Sequence, residues 1–237
     1  GIDDVGMGVL FGLYDWRFEI LALMQHVQHL ENRFGIGPHT ISVPRIEPTE
    51  GSETATNPPH PVSDTDFLKI VSILRLAVPY TGMIMSTREE PAIRRATLAM
   101  GISQISAGSR TNPGGYEEGI QNKGAQFQLG DQRPLDEVIA ELAASGYIPS
   151  FCTACYRLGR TGHEFMEWAK PGEIKGRCGP NALSTFLEYL IDYASPGTLQ
   201  AGENAIRRQL DSMEPEQKAF ASKLLERVRS GVRDVYI

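Results

Sequence analysis

Across 237 residues, 41% of side chains are apolar and 22% are charged, a balance that supports a packed core and excludes a disordered or fibrous chain. The formal net charge of -6 denies the chain the broad basic face that phosphate neutralisation requires, so nucleic acid is not an expected partner. No apolar run approaches the roughly 20 residues a membrane span needs, and no charged-then-apolar leader opens the sequence. A cytoplasmic protein with small-molecule or protein partners, and no membrane, is expected.

The opening residues, Gly1-Ile-Asp-Asp-Val-Gly-Met-Gly-Val-Leu-Phe-Gly-Leu13, read as a strand and glycine loop already under way, without an initiator methionine, so a partial chain is expected. Trp16, Ile20, Leu23, Met24, Val27 and Leu30 recur near three- and four-residue spacing and predict a helix over 16–34, stopped by Gly35. His39 to Ile46 reads as a strand, followed by a surface loop rich in Pro, Glu, Thr and Ser from Glu47 to Val62. Ser63 is an N-cap with Asp66 three residues on, and Phe67, Ile70, Val71 and Leu74 mark the buried stripe of the next helix. A strand over 82–88, a short helix over 91–100 and a strand over 102–109 follow. Strands alternating with helices in this order imply parallel crossovers and an α/β sheet.

The character changes at Arg110, where Asn112-Pro-Gly-Gly115 opens a Gly- and Gln-rich stretch. The expected division is therefore a first domain over 1–110, a linker or long loop over 111–131, and a mainly helical domain over 132–237. Leu135, Val138, Ile139 and Leu142 mark one helix of that domain, Leu183, Phe186, Leu187, Leu190 and Ile191 another, and the charged run from Glu214 to Arg233 a terminal one.

Three cysteines cannot all pair with one another, and two of them form Cys152-Thr-Ala-Cys155, with Cys178 following in a C-x2-C-x22-C pattern. Soft thiolate ligands in this number suggest iron-sulfur or zinc, although a C-x-x-C by itself also suits a redox thiol pair. A structural zinc site wants four closed ligands, whereas three thiolates on a four-iron cluster leave one iron open for chemistry. Arg157, Arg160, Lys175 and Arg177 concentrate positive charge near the thiolates. Gly179 is expected to cap, and Pro180 to begin, a helix whose dipole points toward Cys178.

The segment Tyr147-Ile-Pro-Ser-Phe-Cys-Thr-Ala-Cys-Tyr-Arg-Leu-Gly-Arg-Thr-Gly162 and the C-x2-C-x22-C spacing resemble the C-terminal cluster region of the HydG family, the radical-SAM tyrosine lyases that mature FeFe-hydrogenase. Gly-Pro-His-Thr-Ile-Ser-Val-Pro-Arg-Ile, Ser-Thr-Arg-Glu and Ile-Ser-Ala-Gly-Ser-Arg extend the resemblance over nearly the whole chain. The cysteine motif of the radical-SAM cluster is absent from this sequence, so the chain alone is expected to be inactive.

The resemblance implies the C-terminal half of a TIM-type barrel, strands five to eight, followed by a helical domain that holds an auxiliary 4Fe-4S cluster through Cys152, Cys155 and Cys178. Barrel active sites lie at the carboxyl ends of the strands. Gly6 and Gly8, in the segment that resembles the adenosine-facing loop, and Arg45 are thus expected near S-adenosylmethionine. Arg88 and Arg110, with Ser106 and Ser109 beside them, are expected to grip the carboxylate of tyrosine, because guanidinium and carboxylate match in shape. The family carries a labile fifth iron on the auxiliary cluster, bridged by free cysteine and held by a histidine, for which His39 is the expected residue. His26, His29, His60 and His163 have weaker cases.

In the family, tyrosine is split into p-cresol and dehydroglycine, and the latter gives CO and cyanide on the labile iron for delivery to hydrogenase maturation proteins. Two alternatives stand beside this reading. A thiazole-pathway tyrosine lyase, 2-iminoacetate synthase, shares the barrel without needing the second cluster, and a non-catalytic zinc or iron-sulfur module would use the cysteines structurally.

Overall fold

The computed structural model describes residues 2–118 and 124–237, so 119–123, within the expected linker, lie outside the described residues. Contacts divide the chain into two compact units, Gly1–Arg133 and Pro134–Ile237. The stretch expected as a linker or long loop is thus part of the first unit, where Gly130 and Asp131 donate their N–H groups to the carbonyls of Arg88 and Thr87.

The first unit is built on β1 (Gly6–Gly8), β2 (Thr40–Ser42), β3 (Gly82–Met85) and β4 (Gln104–Ile105), all parallel and adjacent in chain order, an α/β arrangement. The helices are α1 (Trp16–Phe34), the short α2 (Glu53–Thr56), α3 (Asp64–Ala77), α4 (Pro91–Ala99) and α5 (Gly115–Glu118). Local chemistry sets their ends. Asp15 accepts from the Arg17 N–H at the start of α1, Gly35 ends it at φ 73, and Ser63 accepts from the Asp66 N–H to open α3. The strands are shorter than their apolar runs. Pro44 has no N–H to continue the ladder, and the Phe11–Arg45 bridge lies beyond it. Past β3 and β4 the carbonyls of Ser86 and Ser106 are taken by the Arg94 guanidinium, at 3.4 and 2.6 Å.

One face of the sheet is dry. Ile41, Val43, Met83 and Met85 pack with Ile20, Leu23 and Val27 of α1 and with Phe67, Ile70, Val71 and Leu74 of α3. The alternate residues, Gly6, Gly8, Thr40, Ser42, Ile84 and Gln104, are half-buried or exposed. Parallel sheets are ordinarily covered on both faces. The described residues of this unit cover only one.

The second unit is helical: α6 (Leu135–Ala144), α7 (Ala154–Arg157), α8 (Gly162–Ala169), α9 (Lys175–Asp192), α10 (Pro196–Asp211) and α11 (Pro215–Arg229). Its core gathers Ile139, Phe186, Leu187, Leu190, Ile206 and Leu225. A Cβ on Gly202 would stand 2.5 Å from the Leu190 methyls, so glycine is what lets α10 approach α9. The start of α9 corrects the sequence reading. The helix begins at Lys175, not after Gly179, and Pro180 lies inside it. The N–H groups of Lys175, Gly176, Arg177 and Cys178 bond to the carbonyls of Gly172, Glu173 and Ile174, so they are not free donors aimed at the Cys178 thiol.

Phe67 is fully buried in the first core. Phe67→Ala is expected to lower the unfolding free energy by about 3–5 kcal/mol, read as a shift in the denaturant midpoint of the chain.

Candidate functional sites

In the first unit, the four residues expected to bind substrate converge. Arg88 follows β3, while Ser106, Ser109 and Arg110 follow β4, and all four line one cavity of about 520 Å3, together with Thr87, Gln126 and Phe127. The Arg88 guanidinium lies over the Phe127 ring, 4.0 Å from its centroid. Its buried Nε has no hydrogen-bond partner among the described residues. Burial lowers the pKa of Arg88, while Glu47 and Glu89 pull it back up. A cation held on a hydrophobic ring with an unused buried donor is suited to a carboxylate ligand.

Arg45, expected near S-adenosylmethionine, is tied to protein partners here. Its Nε donates to Glu89, its Nη1 donates to the Val62 carbonyl and pairs with Asp64, its Nη2 meets Glu89, and its plane covers the Phe67 ring. Its donors therefore fasten the start of α3 to the residues after β3. Gly6 and Gly8 are required by strand contact: a Cβ on either would come within 2.9 Å of Thr40 or Ser42 across the β1–β2 pair. His39 immediately precedes β2, at the amino-terminal end of that strand, and its Nδ1 stands 3.5 Å from an Asp4 carboxylate oxygen.

In the second unit, Cys152 and Cys155 are half-buried and Cys178 is exposed, all as free thiols. The Cys152 Sγ accepts from the Ala154 N–H at 3.4 Å, and the Cys155 carbonyl accepts from the Arg160 N–H at 2.8 Å. The Cys178 thiol is pushed up by desolvation and then by the charges of Cys155 and Cys152, with Arg160 opposing. Among the described residues no three His, Cys, Asp or Glu side chains are close enough to share a metal ion. A four-iron cluster distributes its thiolates over separate irons, so it demands less convergence than a single zinc. Arg160 is 8% exposed and its Nε has no hydrogen-bond partner among the described residues, a cation suited to an anionic cluster nearby. The guanidinium carbons of Arg160 and Arg177 lie over the Trp168 ring, 5.8 and 4.0 Å from its centroid. Three soft donors and this charge fit an iron-sulfur cluster.

Comparison with known proteins bears on both sites. Residues 42–148 match the Biotin and Thiamin Synthesis associated domain. The 2-iminoacetate synthase of Escherichia coli strain K12 is 31% identical over 150 residues, 63% of this chain and 39% of that protein. That of Salmonella typhimurium strain LT2 is 30% identical with the same coverage. A crystal structure of HydG, a maturase of the [FeFe]-hydrogenase, superposes with a TM-score of 0.93 at 50% identity, covering 100% of this chain and 51% of its own. This chain is a relative of HydG. The HydG of Carboxydothermus hydrogenoformans gives a TM-score of 0.75 at 39% identity, over 95% of this chain and 48% of its own. The chain spans about half the length of these HydG structures and about two fifths of the curated synthases. No described helix is long and apolar enough to cross a membrane.

Several residues at the two sites carry no sequence signal of their own. Phe127 lies in the Gly- and Gln-rich stretch, and Arg94 and Asp131 meet across 36 intervening positions to form a buried pair at 3.2 Å. Glu47 was part of a surface loop by sequence. In the structure it lines a second cavity of about 520 Å3 with Phe11, Arg45, Arg88, Glu89 and Gly130. Burial and then the Glu89 charge push its pKa from 4.5 to about 7, against the pull of Arg45 and Arg88, with Glu90 adding to the rise. A carboxyl with a raised folded-state pKa favours folding while protonated, and that contribution is lost as pH rises from 4.5 through about 7. The stability of Glu47→Gln relative to the natural chain should therefore climb across that window and level off above it. A pH-independent difference in denaturant midpoint would contradict this assignment.

Proposed function

We propose that this chain is the carboxyl half of a radical-SAM tyrosine lyase of FeFe-hydrogenase maturation, comprising strands five to eight of a TIM-type barrel and an auxiliary-cluster domain. The observation that carries the reading is the cavity that unites Arg88, Ser106, Ser109 and Arg110 beyond β3 and β4. Arg88 receives the tyrosine carboxylate on its unused donor edge, Arg110 adds a second positive charge, and the serine hydroxyls accept from or donate to the amino acid's polar end. Phe127 holds the Arg88 guanidinium flat and shields it from water. The sheet face bearing Gly6, Gly8, Thr40 and Ser42 would face S-adenosylmethionine, which with a reducing cluster would supply a hydrogen-abstracting radical. Arg45 supports this end of the sheet through Glu89.

Cys152, Cys155 and Cys178 would hold an auxiliary 4Fe-4S cluster, which would supply the iron chemistry for converting dehydroglycine to CO and cyanide. His39 would serve as an iron ligand, with Asp4 beside it, since a carboxylate behind an imidazole fixes the ring for metal binding. The HydG branch is favoured over the 2-iminoacetate synthases because the HydG match runs the length of the chain at 50% identity, against 63% coverage at 31%.

Anaerobic reconstitution with iron and sulfide should load about four of each per chain, and Cys178→Ser should lose most of that iron. A colourless protein with stoichiometric zinc would sink the cluster assignment. In the full-length enzyme, Arg88→Gln should raise the KM for tyrosine about ten- to a hundredfold, the equivalent of one charge-assisted contact worth about 1.5–3 kcal/mol. An unchanged KM would remove Arg88 from substrate binding.

A further inference from the structure

Cys152 and Cys155 lie in and beside the short α7, whereas Cys178 lies in the first turn of α9, so the spacing of the three sulfurs depends on what fastens loop to helix. Upstream of Cys152 the contact is direct: the Phe151 N–H donates to Thr185 Oγ1 at 3.3 Å and its ring stacks on Tyr189. Downstream of Cys155 the ties pass through a third segment, 234–237. Asn181, three residues after Cys178, holds Ile237 by both ends of its amide. Its Oδ1 accepts from the Ile237 N–H at 2.9 Å and its Nδ2 donates to the Ile237 carbonyl at 3.1 Å. The same carbonyl accepts from Arg160 Nη2 at 2.7 Å.

Further along α9, Ser184 Oγ donates to the Val235 carbonyl at 2.6 Å, and Glu188 Oε1 accepts from the Val235 N–H at 3.0 Å. On the loop side, Arg157 donates to both carboxylate oxygens of Asp234 and lies over the Tyr236 ring. Asn181 and Val235 are 3% and 1% exposed. Buried polar groups satisfied from two sides fix geometry, because releasing either partner leaves an unpaired donor or acceptor away from water.

We propose that the segment Asp234–Ile237 is a clasp that sets the spacing of the three thiols, with Asn181 and Arg160 as its positioning residues. The inference rests on the reading of Cys152, Cys155 and Cys178 as cluster ligands. It assigns the clasp a role the cysteine spacing does not contain: one backbone carbonyl, that of Ile237, joins the residue five positions after Cys155 to the residue three positions after Cys178.

The test compares the natural chain with Asn181→Ala, with the milder Arg160→Lys, which keeps the charge and loses the planar fork, and with Thr198→Ala. Thr198 is a buried tie between α10 and Asp136 of α6, outside the 234–237 segment, and controls for general softening. In the cluster-free chain, a short bis-maleimide should link Cys178 to Cys152 or Cys155, and the yield should fall in Asn181→Ala and Arg160→Lys but not in Thr198→Ala. After reconstitution, both clasp variants should release iron to a chelator about ten- to a hundredfold faster than the natural chain, the range expected when a partner behind a metal ligand is removed.

Unchanged cross-linking overturns the clasp, as does an equal fall in Thr198→Ala. If the natural chain takes up no iron while cross-linking falls as expected, the clasp stands and the cluster reading fails. If the natural chain loads and both clasp variants hold iron equally long, the cluster reading stands and the clasp fails.

Discussion

The guanidinium of Arg94 is the interaction on which the first site depends. It is almost wholly buried, and it donates to the carbonyls of Ser86 and Ser106 at the ends of two neighbouring strands while pairing with Asp131 at 3.2 Å. Asp131 is itself bound by Arg133, and its N–H returns to the Thr87 carbonyl. A buried ion pair offers little net stability against an apolar replacement, but removing one partner strands the other's charge. Its consequence here is geometric: Ser86, Ser106 and the segment bearing Phe127 and Gly130 are held around one space, and Arg88 is left facing that space.

At the opposite end of the same strands, Arg75 of α3 does comparable work. It donates to the carbonyls of Gly101, Pro79 and Thr81, where the chain enters β3 and leaves α4. Both arginines are committed entirely to backbone or carboxylate. Against that background, Arg88 and Arg160 differ, since each has a buried Nε without a hydrogen-bond partner among the described residues. Desolvating a guanidinium without using its donors is costly, and such cost is retained where a ligand repays it. Arg88 lines the cavity beyond β3 and β4, and Arg160 stands five positions after Cys155.

The two units also solve the problem of joining distant segments differently. The sheet uses side chains that reach backbone, from helices packed on its dry face. The helical unit uses backbone that reaches side chains, drawing an extended segment between a loop and a helix. In that unit the Cys152 Sγ accepts from the Ala154 N–H.

What the sequence by itself determined was whatever depends on neighbours in the chain. The bounds of α1, the Ser63 cap and the Gly35 stop follow from spacing and capping chemistry, and the alternation of strand and helix dictated a parallel sheet. The motifs carried the likeness to HydG. Tertiary structure decided the rest, because it turned on partners far apart in the chain. The partners of Arg45, Glu89 and Asp64, are distant in sequence, Glu47 reads as surface until Glu89 and Arg88 enclose it, and Pro180 reads as a helix start until residues 172–174 supply the first turn's acceptors. Burial and long-range hydrogen bonding have no period in sequence, so the cavity around Arg88 and the clasp around Ile237 became visible only once the chain had closed on itself.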